Sequence, residues 1–254
     1  MDMLQGRQIA EAGLSDWRKL AQGLHARYRV ADFAAGARFI AAVGEAGDAL
    51  GHHPRVSMGP GYVDLKLVSD DAIYRDGETE HVVEWVTQQD LDLARRISAV
   101  AAEQGLEADP SAVSVVELGL DTARSATIAP VWAAVLTGSA ESQGHGSPSD
   151  EIRDASGRVP NLWFGDAVQD AGGDADREAD GGSDQASGGA GPAAVQRFHL
   201  EVYVAPEAAA QRIAAAVAAG GTVVDDSQAG LTVIADQDGN RGVICVDASA
   251  APPA

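Results

Sequence analysis

Six histidines are spread over this 254-residue chain. An imidazole pKa near 6.5 lets one side chain give or take a proton at neutral pH, so proton chemistry would centre on them. Two are adjacent, His52 and His53, followed by Pro54 and preceded by Asp48. A helix ending at this pair favours its protonated form, because partial negative charge collects at a helix C-terminus. The pair can equally cap the last carbonyls while Pro54 stops the helix, and residue type leaves both readings open. Asp48 either orients His52 or is an exposed last-turn residue. Thr87-Gln88-Gln89-Asp90 has capping-box spacing, which lets the Asp90 carboxylate satisfy backbone donors at the helix start. His81 lies alone in a charged stretch, where histidine is ordinarily solvated.

These residues need elements to carry them. Leu24, Ala26, Tyr28 and Val30 alternate as in a half-buried strand. Asp32 is a helix N-cap, and Phe33, Ala37, Ile40, Val43, Gly47 and Leu50 fall on one helical face that ends at Gly51. Residues 55–58 and 62–68 flank Gly59-Pro60-Gly61 and read as a hairpin. Residues 69–84 read as charged and irregular. A helix then opens at Thr87 with Leu93, Ala94, Ile97, Val100 and Ala101 inward. Gly and Pro110 interrupt the pattern at 105–111, which sets a first domain at 1–108.

The second half, 112–248, opens with a strand at 113–121 and a helix near 128–136, followed by a strand at 159–164. It resumes with a strand at 198–204, a helix at 206–219 and short strands at 222–224, 231–235 and 242–246. The run Val116-Glu-Leu-Gly-Leu-Asp121 faintly echoes Phe198-His-Leu-Glu-Val-Tyr203, which suggests a duplicated unit whose open sheet wraps a pocket. Residues 169–194 contain no Leu, Ile, Val or aromatic residue and cannot offset their ordering entropy, so a mobile acidic loop is expected there. The tail 249–254 is expected to be disordered.

Acidic residues outnumber Lys and Arg by 38 to 18, for a net charge of −20. That field repels phosphate backbones and anionic headgroups, which argues against nucleic-acid and membrane partners. With Cys245 the single cysteine, no intramolecular disulfide forms. A reducing cytoplasm fits, no signal peptide or membrane span is read, and Cys245 between Ile244 and Val246 is a buried apolar residue.

The stretch 17–103 resembles the pterin-4a-carbinolamine dehydratase family. The resemblance rests on Trp17, Tyr28, Phe33, Asp48-x-x-x-His52-His53-Pro54, the strand 62–68 and Thr87-x-x-Asp90-x-x-Leu93-Ala94. It implies an α+β fold with a four-stranded antiparallel sheet covered by helices. It also implies dehydration of a pterin 4a-carbinolamine without a cofactor, in a homo-oligomer. His52, His53 and Asp90 match the family's catalytic positions, with Asp48 and Pro54 beside them. Where the family carries a further histidine this chain has Asp70, a poor acid at its reference pKa. His81, in an insertion between Asp71 and Trp85, would have to fold back to replace it. Loss of that histidine leaves open a pterin-binding protein without turnover.

Residues 115–246 are similar to the glyoxalase-like branch of the vicinal oxygen chelate superfamily, built from paired βαβββ modules. The matches are Pro130-Val131-Trp132, Asn161-Leu162-Trp163-Phe164, 198–202, 218–221 and 236–240. Metal-dependent relatives imply ligands at Glu117 and His199, read as equivalent first-strand positions. The last strand has Gly242-Val243-Ile244-Cys245 where a Glu is expected, so no metal is assigned. A glyoxalase- or dioxygenase-like activity of this half is the remaining alternative.

Overall fold

The computed structural model describes residues 1–77, 79–122, 125–137, 151–153, 159–165, 198–235 and 241–247. The loop expected at 169–194, the tail at 249–254 and the stretch 236–240 lie outside the described residues.

Local signals set the first helices. The Asp32 carboxylate accepts the Ala35 amide at 2.7 Å and starts α2 (Phe33–Leu50). Gly51 ends it at φ 64°, a left-handed conformation that costs a residue with a side chain about 1–2 kcal/mol. Thr87 and Asp90 close a reciprocal capping box at the start of α3 (Gln88–Glu103). A short α1 (Gly6–Glu11), not evident in the sequence, sends Ile9 into the core.

The sheet of this half runs β1-β2-β4-β3, all antiparallel, with β1 at Arg18–Leu20, β2 at Gly23–Arg29, β3 at Arg55–Gly59 and β4 at Tyr62–Leu67. Leu24, Ala26 and Tyr28 of β2 and Val63, Leu65 and Leu67 of β4 are buried with the inward residues of α2 and α3. The alternate positions, His25, Arg27, Asp64 and Lys66, therefore occupy the opposite face.

Two expectations need correction. The buried stripe of α2 is Gly36, Phe39, Val43, Ala46 and Gly47, whereas Phe33 and Leu50 are exposed. Phe39 carries the larger contact, meeting Tyr28 edge-on at 5.1 Å, so its burial outweighs that of Phe33 at the helix mouth. Residues 69–84 are not irregular. They belong to a hairpin of β5 (Ser69–Asp76) and β6 (Thr79–Trp85). Polar side chains on both faces hide the alternation that betrays a half-buried strand, and Arg75 pairs across it with Glu80.

The connection to the second half is pinned rather than free. Arg29 N–H donates to Glu107 O at 2.9 Å and Asp109 N–H to Arg27 O at 2.7 Å, extending the edge of β2 before a 3₁₀ turn at Pro110–Ala112.

The second half is one seven-stranded sheet, β11-β12-β13-β10-β7-β9-β8. The strands are β7 (Ser114–Asp121), β8 (Glu151–Ile152), β9 (Leu162–Gly165), β10 (Phe198–Val204), β11 (Thr222–Asp225), β12 (Leu231–Ala235) and β13 (Arg241–Cys245), with α4 (Ser125–Thr137) and α5 (Pro206–Ala218) between them. The duplication read from sequence is visible in the pairing. β7 and β10 lie antiparallel at the centre, and each pairs in parallel with the last described strand of its own unit, β9 and β13. A small core of Leu120, Ala133, Ile152 and Leu162 lies under α4. No described helix is long and apolar enough to cross a membrane.

Candidate functional site

α2 and α3 pack against each other, and their facing ends bring His52 to Asp90. The His52 amide still bonds to the Gly47 carbonyl at 3.1 Å, which holds the residue against the helix end. Its Nε2 lies 2.7 Å from Asp90 Oδ1. The His52 side chain is 14% exposed and that of Asp90 0%, so this carboxylate has no solvent to compete with the imidazole.

Asp90 divides its two oxygens between structure and chemistry. Oδ2 accepts the Thr87 amide at 2.8 Å and lies 3.1 Å from the Thr87 hydroxyl and 2.9 Å from that of Ser69. The two hydroxyls are 2.8 Å apart, so one can donate to the other while the second donates to Asp90. Asp90 thus caps its own helix through one oxygen and holds His52 through the other. The hydrogen bond to Asp90 comes first in pushing the His52 pKa above its ordinary value. Partial burial opposes it, and the charges of Asp90, Asp71 and Asp70 add to it. The cationic imidazolium is the form this environment favours.

Asp48 serves a different histidine from the one expected. It lies 2.9 Å from His53 Nε2, because β3 turns the chain at Pro54 and leaves His53 outside, with side chains 53% and 81% exposed. Such a pair in water contributes little. Pro54 is partly buried between the histidines and β3. Asp70 is exposed at the start of β5, where the pairing slips between Ser69 and Ala72, close enough for its charge to act on His52. His81 does not fold back. It pairs with Tyr74 in the hairpin and stacks on that ring at 6.1 Å. Its place four residues from Trp85 puts it roughly 13 Å along the strand from the level of Ser69. Ser69 and Thr87 were missed as site residues. The capping-box spacing contained the signal for Thr87, and nothing in the spacing marks Ser69.

In the second half the antiparallel register sets Glu117 opposite Glu201 and His199 opposite Gly119. Glu117, His199 and Glu201 therefore share one face of the sheet. Glu117 is 3% exposed, and burial first, then Glu201 and Glu151, raise its pKa. His199 lies 3.8 Å from both Asp121 and Glu201, which raise its own. Among the described residues no group of three or more His, Cys, Asp and Glu is placed to hold a metal ion, and β13 offers only buried Cys245 as a donor. The described side chains do not fit the metal centre of the metal-dependent relatives.

Two family models match the chain, each over a different stretch. Residues 2–100 match the family model of pterin 4 alpha carbinolamine dehydratase, and residues 117–245, about half of the chain, match that of the glyoxalase-like domain. No curated protein matches the chain. Among solved structures, a transcriptional coactivator/pterin dehydratase from Brucella melitensis is 24% identical, covering 39% of this chain and 99% of that one with a TM-score of 0.33. Its first half is similar to pterin 4 alpha carbinolamine dehydratase over residues 2–100, and through its second half the chain belongs to the glyoxalase-like domain family.

Proposed function

We propose that the first half removes water from a pterin 4a-carbinolamine, with His52 as the proton donor. The observation that carries this reading is the 2.7 Å pairing of His52 with a fully buried carboxylate. With Nε2–H given to Asp90, Nδ1–H of the imidazolium is left to protonate the 4a-hydroxyl. The C4a–O bond then breaks and water leaves. The N5 proton passes to a base, for which His53 is the adjacent candidate, and the electron pair it releases forms the C4a–N5 double bond of the quinonoid dihydropterin.

The test is stopped-flow absorbance of carbinolamine dehydration. The protein should accelerate it, and His52→Ala should lose about 10²- to 10⁴-fold, the usual worth of positioned acid/base catalysis. A folded wild-type protein that gives only the buffer rate overturns the reading. Asp70, an exposed carboxylate near His52 where the resemblance calls for histidine, favours a second reading in which the site binds a pterin without turnover. Equal binding of a pterin analogue by wild type and His52→Ala, with neither active, would establish that alternative.

A further inference from the structure

We propose that the cleft between the two halves is a binding site for a small organic carboxylate with an apolar body, separate from the His52 site. The open face of the first sheet supplies one wall. His25, Lys66 and Arg55 are register partners across β2, β4 and β3, so they stand side by side on that face and span roughly 10 Å at the usual strand spacing. β7 and the segment before β9 supply the other wall, and the space enclosed is about 570 Å³. That volume lies within the range of small-molecule sites, which favour domain interfaces.

Two cations, Lys66 and Arg55, line the cleft. Lys66 at 2.8 Å, Arg55 at 3.6 Å and Arg153 at 4.0 Å converge on one buried carboxylate, Glu84. The last two distances exceed a hydrogen bond, so both guanidinium groups keep donors to spare. His25 Nε2, which lines the cleft, is buried without a hydrogen-bond partner among the described residues. Burial first, then Lys66 and Lys19, push its pKa down to about 3, so the ring adds no charge. Unsatisfied buried polar groups are rare enough to call for a partner.

The cleft's own carboxyls are not free to repel an anion. Asp64 is held by the Arg27 fork at 2.6 Å through both oxygens, and Glu117 Oε1 lies 3.4 Å from the Asn161 amide nitrogen. Arg55 and Lys66 thus give the cleft two cations in a chain of net charge −20. The rest of the lining suits the uncharged part of a ligand, with Val115 and Pro160 as apolar surface and the amides of Gln22 and Asn161 to orient it. Arg55, 44% exposed at the edge, is placed to take the carboxylate.

The probe is benzoate, with neutral, isosteric benzamide as the control, followed by NMR titration of the full chain. Benzoate should produce saturable shifts of the Arg55 Nε–Hε and Gln22 and Asn161 side-chain amide signals. Benzamide, and benzoate on Arg55→Gln, should each bind about tenfold or more weakly, the scale of one lost charge-assisted hydrogen bond. His52→Ala should bind benzoate as wild type does, which separates this site from the dehydratase reading. Equal binding of benzoate and benzamide, unchanged affinity in Arg55→Gln, shifts confined to the surroundings of His52, or no saturable shift would each overturn the proposal.

Discussion

A single carboxylate holds the first site together, so the sharpest residue-scale prediction concerns Asp90. Asp90→Asn keeps the size of the side chain and removes the charge that raises His52. The proposed dehydration should slow by roughly 10²-fold. Because the cationic form donates the proton, activity falls as pH rises through the His52 pKa, and the variant's alkaline limb should move to lower pH in a pH–rate profile. The linkage has a definite sign. A folded pKa raised above 6.5 means that the stabilisation from this pair is complete below about pH 6.5 and is lost as pH rises through the folded value. The pairing itself was not legible in the sequence. His52 and Asp90 are 38 positions apart, and only the packing of two helices joins them, whereas Asp48 was the closer acid and drew the expectation.

At the scale of elements, the end of α2 sets where the imidazoles sit. A Cβ on Gly47 would lie 2.6 Å from His53 Cδ2 and 2.8 Å from the His52 carbonyl oxygen. The carbonyl is backbone and cannot swing aside, so Gly47→Ala should destabilise by about 1–3 kcal/mol and also lower activity. Gly51→Ala meets no atom within 4 Å and should cost only the left-handed backbone penalty, about 1–2 kcal/mol. Urea denaturation of both variants, with activity measured beside it, separates the two effects. The helix limits were legible because Asp32, Gly51 and Thr87 are local signals acting over three or four residues. The helix face was read less well. Periodicity accepts Phe33 as readily as Phe39, and only the position of Tyr28 on the sheet decides between them. The β5–β6 hairpin escaped because both its faces are polar, so neither shows the period of two.

At the scale of the molecule, ion pairs join the halves. Arg18 forks onto Glu207 at 3.0 and 2.5 Å, Lys19 meets Asp247 at 3.5 Å, and Arg153 approaches Glu84. Burial alone would raise the Glu84 pKa, but Lys66 first, then Arg55 and Arg153, bring it below the ordinary value. Its contribution is therefore present above about pH 4.5 and lost as pH falls through the depressed folded value. Glu84→Gln, which leaves three cations facing a neutral amide, should destabilise by about 3–5 kcal/mol at neutral pH. The gap from wild type should close on acidification, as measured by denaturation across pH. Composition marked two folding units, and the echo at residues 116 and 198 marked a duplication. Which side of each sheet would face the other lay in no local pattern. The pinned segment at Glu107–Asp109 also bears on how such contacts can suffice. A tether fixed along β2 leaves only a few residues of slack, so the halves meet at the high effective concentration of a short linker. An exposed pair such as Arg18–Glu207 is worth under about 1 kcal/mol, and together with the more buried pairs Lys19–Asp247 and Arg153–Glu84 it can then hold an orientation that two separate proteins would keep only with a much larger interface.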